Sequence, residues 1–116
     1  MTGPNKRLAD LARIAAVLAE RGLAPVAQAQ GRLVAQRAQI EELAARRARL
    51  SLDGADPVVA ARLARLAERL RHDQAAAMAD LARAQAEFDM AKQAARPAVA
   101  RKSVLERLVH QTRQGR

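Results

Sequence analysis

"SLDGADP", residues 51–57, decides how this chain folds. Asp53-Gly54 is a turn pair, because glycine takes a left-handed backbone at little cost. Asp56 is a good N-cap residue, since its short carboxylate can accept the free N–H groups of a first helical turn. Pro57 suits the first helical position, where no backbone donor is needed. One helix stops here and another starts, and so short a connection sends the second back along the first. The predicted fold is all-α: a long two-helix antiparallel coiled-coil hairpin with a C-terminal helical extension, a single domain over residues 1–116.

Upstream of the turn, Leu8, Leu11, Ala15 and Leu18 fall at steps of three and four. After a disturbed stretch, Val26, Ala29, Leu33, Gln36, Ile40, Leu43, Arg47 and Leu50 repeat those steps, which is a heptad seam. The disturbance is "RGLAP", residues 21–25. Pro25 lacks a backbone donor and clashes with the preceding turn, so the first helix, 5–50, is expected to kink or break near 21–25. Gly31 is a second weak point. Downstream, helix 57–95 carries Val59, Leu63, Leu66 and Leu70, then Gln74, Ala77, Leu81, Ala84, Phe88, Ala91 and Ala95. The two steps of four around Leu70 predict a stutter that relaxes the supercoil. Pairing the arms symmetrically about Gly54 sets Leu43 against Leu66, Leu18 near Met90 and Leu11 near Pro97.

Composition agrees with a thin helical fold. The chain of 116 residues has 30 Ala and 18 Arg, and Phe88 is its one aromatic residue. Small side chains bury too little for a broad core but allow close helix–helix approach. With no cysteine, disulfides and thiolate metal sites are excluded. No apolar run reaches the length of a membrane span, and Asp10 and Arg13 interrupt the apolar stretch that a signal peptide would need. A cytoplasmic protein is expected, either free or at the inner face of the membrane.

The net charge of +9 is uneven: residues 97–116 hold five basic side chains against one acidic. Basic excess attracts nucleic acid, anionic lipid or acidic protein surfaces. The tail, 98–113, reads as a short basic helix beyond Pro97. Val104, Leu105, Leu108 and Val109 form an apolar cluster on it, flanked by Arg101, Lys102, Arg107 and Arg113. On the symmetric register this helix has no partner, which makes Arg101, Lys102, Val104, Leu105, Arg107, Leu108 and Val109 the candidate partner-binding residues, in helix-in-groove style. The alternative is that the tail caps Leu8, Leu11 and Ile14 of its own first helix. A membrane surface is a weaker fit, because no aromatic anchor is present.

Few residues suggest chemistry. His72 stands beside Asp73, and Glu106 lies four before His110, but one carboxylate and one imidazole do not close a metal site. Ser51 and Ser103 have no neighbouring base. The other carboxylates alternate with Arg at helical spacing, as surface ion pairs do. "ARRAR", residues 45–49, is basic but has no aromatic residue on which a base could stack. Neither an enzyme nor a cofactor is expected.

A basic Ala/Arg-rich hairpin of this length, with a tail reading "ARKSVLERL" (residues 100–108), resembles the FliJ/YscO family of flagellar and type III export stalk proteins. The tail carries the resemblance through a basic pair, Arg101-Lys102, ahead of Leu105-Glu106-Arg107-Leu108. The resemblance implies a non-enzymatic stalk or escort, similar to the coiled-coil shaft of a rotary ATP synthase. It implies that the end bearing both termini enters a hexameric export ATPase, with the loop end toward the export gate protein. The chain differs from that family in lacking aromatics near the loop, where it offers Leu43, Leu50, Leu63 and Leu66. Two other readings fit the residues: a generic coiled-coil scaffold that dimerises through its Ala-rich faces, and a helical hairpin held to nucleic acid by charge alone. As a stalk the free chain would be a monomer or weak dimer, with no specific nucleic-acid site.

Overall fold

The computed structural model describes residues 3–50, 54 and 56–115, and the chain forms an antiparallel hairpin of two helices. Helix α1 spans Pro4–Ala48 and helix α2 spans Pro57–Gln114. Each starts on a proline that needs no donor at that position. At α1 the Gly3 carbonyl accepts from the Lys6 and Arg7 amides at 3.2 and 3.3 Å. At α2 the Asp56 Oδ1 accepts from the Val59 amide at 2.9 Å, and the Asp56 carbonyl accepts from Ala60 at 2.8 Å. Asp56 is thus the N-cap that the sequence indicates. Gly54 has φ +74°, the left-handed backbone expected of it. Its predicted turn partner, Asp53, lies outside the described residues, as do Ser51, Leu52 and Ala55.

Neither proline ends its helix. Helix α1 runs through Gly22 and Pro25, and helix α2 runs through Pro97 to Gln114. The separate helix at 98–113 is the last part of α2. The reason lies in where the prolines point. Pro25 and Pro97 are both on exposed faces. The carbonyls that lose a partner, Arg21 and Gln93, belong to exposed residues where water can replace the missing donor. Neighbouring positions hold each helix in place: Ala29 and Ala95 are buried, and Gly22, Val26 and Ala98 are half-buried.

The hairpin divides into two compact units. The loop unit is Gly31–Ala86, and the terminal unit joins Met1–Gln30 with Glu87–Arg116. In the loop unit the α1 seam is Leu33, Gln36, Ile40, Leu43, Arg47 and, just past the helix, Leu50. Facing it are Leu70, Gln74, Ala77, Leu81 and Ala84, and the same spacing continues back along α2 through Ala67, Leu63 and Ala60. Leu43, Leu70 and Ala77 form a buried cluster, with Ile40 and Leu50 packed on it. The polar seam residues are satisfied across the interface. Gln36 Nε2 donates to the Ala77 carbonyl at 3.1 Å, and Arg47 donates to Gln74 Oε1 at 2.8 Å. The predicted stutter is not formed: Ala67 takes the seam position and Leu66 stays exposed, which keeps the steps alternating between four and three.

In the terminal unit the α1 seam is Leu8, Ala12, Ala15, Ala19, Gly22, Val26 and Ala29. It faces Phe88, Ala91, Ala95, Ala98, Lys102, Leu105, Val109 and Thr112. A Cβ placed on Gly22 would lie 3.8 Å from the Ala95 Cα and the Ala98 Cβ. The symmetric register would have set Gly22 near residue 86, so the pairing is slipped by about nine residues, or two and a half turns. The slip originates at the loop. Arg47, one residue short of the end of α1, reaches Gln74, so seventeen residues of α2 precede that contact. The surplus length of α2 therefore lies at the loop end. At the other end Asn5, Lys6 and Leu8 meet Val109, Thr112 and Arg113. Residues beyond Pro97 do have a partner helix, contrary to the symmetric register.

Candidate functional site

The slip changes what the tail presents. Lys102, Leu105 and Val109 fall on the seam and are half-buried against α1. Val104 and Leu108 turn outward, and Arg101 and Arg107 are exposed. The seven candidate residues therefore separate into an inner row that closes the hairpin and an outer row that faces solvent. Lys102 Nζ lies 3.8 Å from Glu106 Oε1 on its own helix, and Thr112 Oγ1 donates to the Leu108 carbonyl at 2.8 Å.

The outer row has a counterpart on α1 that the periodicity concealed. Leu11 and Leu18 were expected in the seam with Ala15, but Ala12 and Ala19 take their places beside Ala15 and Gly22, leaving Leu11, Leu18 and the neighbouring Ile14 uncovered. Small side chains on both helices let the backbones approach closely, and this packing outweighs burial of three large aliphatics at the flank. Leu11, Ile14 and Leu18 line one wall of an open groove of about 510 Å³, with Arg101, Val104 and Leu105 on the other and Ala15 and Ala98 at its floor. Ile14 is 58% exposed and Val104 50%. The signal for this row was in the sequence: "ADLARIAAVLAERG" (residues 9–22) carries an Ala/Gly heptad offset by one position from its Leu/Ile heptad.

The opposite flank of the terminal unit is different in character. Ala9, Arg13 and Ala16 face Glu106, His110 and Arg113 there, and Leu23 lies near Lys92, Arg96 and Val99. Arg13 pairs with Asp10, and Lys92 lies 3.5 Å from Asp89 and 4.4 Å from the centre of the Phe88 ring. The flank thus mixes both signs of charge, whereas the first is apolar with arginine alone.

Other sequence candidates remain dispersed. Among the described residues, no three His, Asp or Glu side chains gather as metal ligands, and no helix is long and apolar enough to cross a membrane. The basic run at 45–49 is engaged locally: Arg46 and Arg49 lie 3.1 and 3.6 Å from Glu42, and Arg47 is bound to Gln74.

Fold and flank together define the class, an antiparallel coiled-coil hairpin with an uncovered apolar face on the unit that carries both termini. Comparison with protein-family models, curated proteins and solved structures gives no match to this chain.

Proposed function

We propose that the protein is a non-enzymatic stalk or escort component of a flagellar or type III export apparatus, binding the hexameric export ATPase through its terminal unit. The observation that carries this reading is the uncovered apolar flank on a basic two-helix end. The terminal unit holds eleven basic and five acidic side chains, a net +6. Its small-residue seam makes a slender pair of helices, a form suited to a ring interior. Arg101, Val104, Arg107 and Leu108 are the tail residues free to touch a partner, while Lys102, Leu105 and Val109 hold the tail against α1. The resemblance of "ARKSVLERL" to export stalk proteins supports the ring as that partner, with the export gate as a second one toward the loop.

The test is direct binding of the full chain to a purified hexameric export ATPase from the same organism. A shaft in a ring predicts saturation at one chain per six ATPase subunits. Absence of binding, or saturation at one chain per subunit, overturns the shaft reading. A stable dimer in sedimentation would favour a scaffold that self-associates. Tight binding to random DNA with a steep salt slope would favour the nucleic-acid reading.

A further inference from the structure

We infer that the groove between Leu11, Ile14 and Leu18 of α1 and Val104 of α2 is a docking site for one amphipathic helix of a partner protein, apolar on one face and flanked by acidic residues. The inference shares this flank with the export reading, but its test is separate: the peptide can fail to dock while the chain still binds an ATPase ring, and the reverse.

Three observations select the occupant. The first is shape. Small Ala15 and Ala98 form the floor between two rows of larger side chains, so the surface is a trough that receives a cylinder. A flat lipid surface calls instead for a convex apolar face, and this one has no aromatic anchor. The second is length. From Arg7 to Arg21 the row covers fourteen residue steps, about 21 Å at 1.5 Å per residue, which matches a helix of four turns. The third is charge. Arg7 lies four residues before Leu11, and Arg21 three after Leu18, so both extend the α1 row at its ends; Arg101 lines the α2 wall. None of positions 7, 11, 14, 18, 21 and 25 on α1, or 90, 94, 97, 101, 104 and 108 on α2, is acidic. A second copy docked by this face would set arginine against arginine, and such like-charge contact is costly. Acidic residues on the rim of an incoming helix would instead meet all three cations.

The probe is an 18-residue helical peptide with leucines at steps of three and four and glutamates on both sides, titrated into the full chain by fluorescence anisotropy. A second peptide carries lysine in place of every glutamate. The acidic peptide is expected to bind at least tenfold more tightly, and added salt should narrow the difference. Ile14→Glu combined with Val104→Glu should weaken the acidic peptide at least tenfold while leaving helicity intact, since both positions are exposed. Reversing Arg7, Arg21 and Arg101 to Glu should transfer the preference to the lysine peptide, an outcome that a folding defect would not produce. Equal binding of the two peptides by the unmodified chain overturns the proposal, as does unchanged peptide preference after the charge reversal. A dimer dissolved by Ile14→Glu would assign the face to a second copy, and anionic-vesicle binding lost in that variant would assign it to lipid. Either result also overturns it.

Discussion

The two units use one heptad pattern to opposite ends. In the loop unit large side chains occupy the seam, and Leu43 and Leu70 are buried with Ala77. In the terminal unit the seam is mostly Ala and Gly, while leucine, isoleucine and valine stand beside it on the surface. The first arrangement draws stability from apolar area removed from water. The second draws it from close backbone approach, and leaves its large apolar groups exposed. Where a chain places its leucines off the seam, the face that packs and the face that carries the large apolar groups are different faces of the same helices.

Substitutions at matched positions can break this contrast, and the largest effect belongs to the loop unit. Leu70 is 6% exposed, so Leu70→Ala should cost about 2–4 kcal/mol in urea unfolding followed by circular dichroism. A loss below 0.5 kcal/mol would show that the cluster does not hold that unit together. The reverse substitution probes the terminal unit. Ala19 is 1% exposed, and Ala19→Leu should force the helices apart and cost about 1–3 kcal/mol by overpacking. If it stabilises instead, the close-approach account of that seam is wrong.

Asp56→Ala removes the side-chain acceptor at the start of α2 and should cost about 1 kcal/mol, with faster amide exchange confined to the first turns of α2. Gly22→Ala should have the opposite sign. Its Cβ would meet Ala95 and Ala98 at ordinary contact distance, so relief of the glycine penalty should stabilise by about 0.5–1 kcal/mol. A destabilised Gly22→Ala would mean that the helices approach more closely there than 3.8 Å allows. The smallest effect is the most informative. Leu18→Ala removes as many atoms as Leu70→Ala from a residue that is 46% exposed, and should change stability by less than about 0.5 kcal/mol. A loss comparable to that of Leu70 would place Leu18 in the core and remove the apolar flank as a surface for partners.

Ion pairs contribute little to either side of this comparison. Glu42–Arg46, Asp80–Arg83 and Glu68–Arg71 lie on exposed faces at helical spacing, where such pairs are worth a few tenths of a kcal/mol. Their value is in keeping these faces soluble and separate from the seam.

Local chemistry was legible from the residues themselves. Asp56 and Pro57 mark the start of α2, Gly54 marks the left-handed turn position, and Leu33 to Leu50 spell out the seam of the loop unit, because each signal depends only on neighbours within a turn or two. Three features required the tertiary structure. Pro25 and Pro97 read as breaks, yet both helices continue, because contacts with the opposing helix hold them and both rings face solvent. The register could not be taken from the turn, since where α2 first meets α1 depends on how Arg47, Gln74, Gln36 and Ala77 find one another across the interface. The choice between Leu11–Leu18 and Ala12–Ala19 as the seam depends on how closely two backbones can approach, a property of the pair of helices that neither strip of sequence contains alone. Sequence by itself thus determined that the chain forms two antiparallel helices; packing decided which of their faces meet, and so which apolar side chains remain exposed.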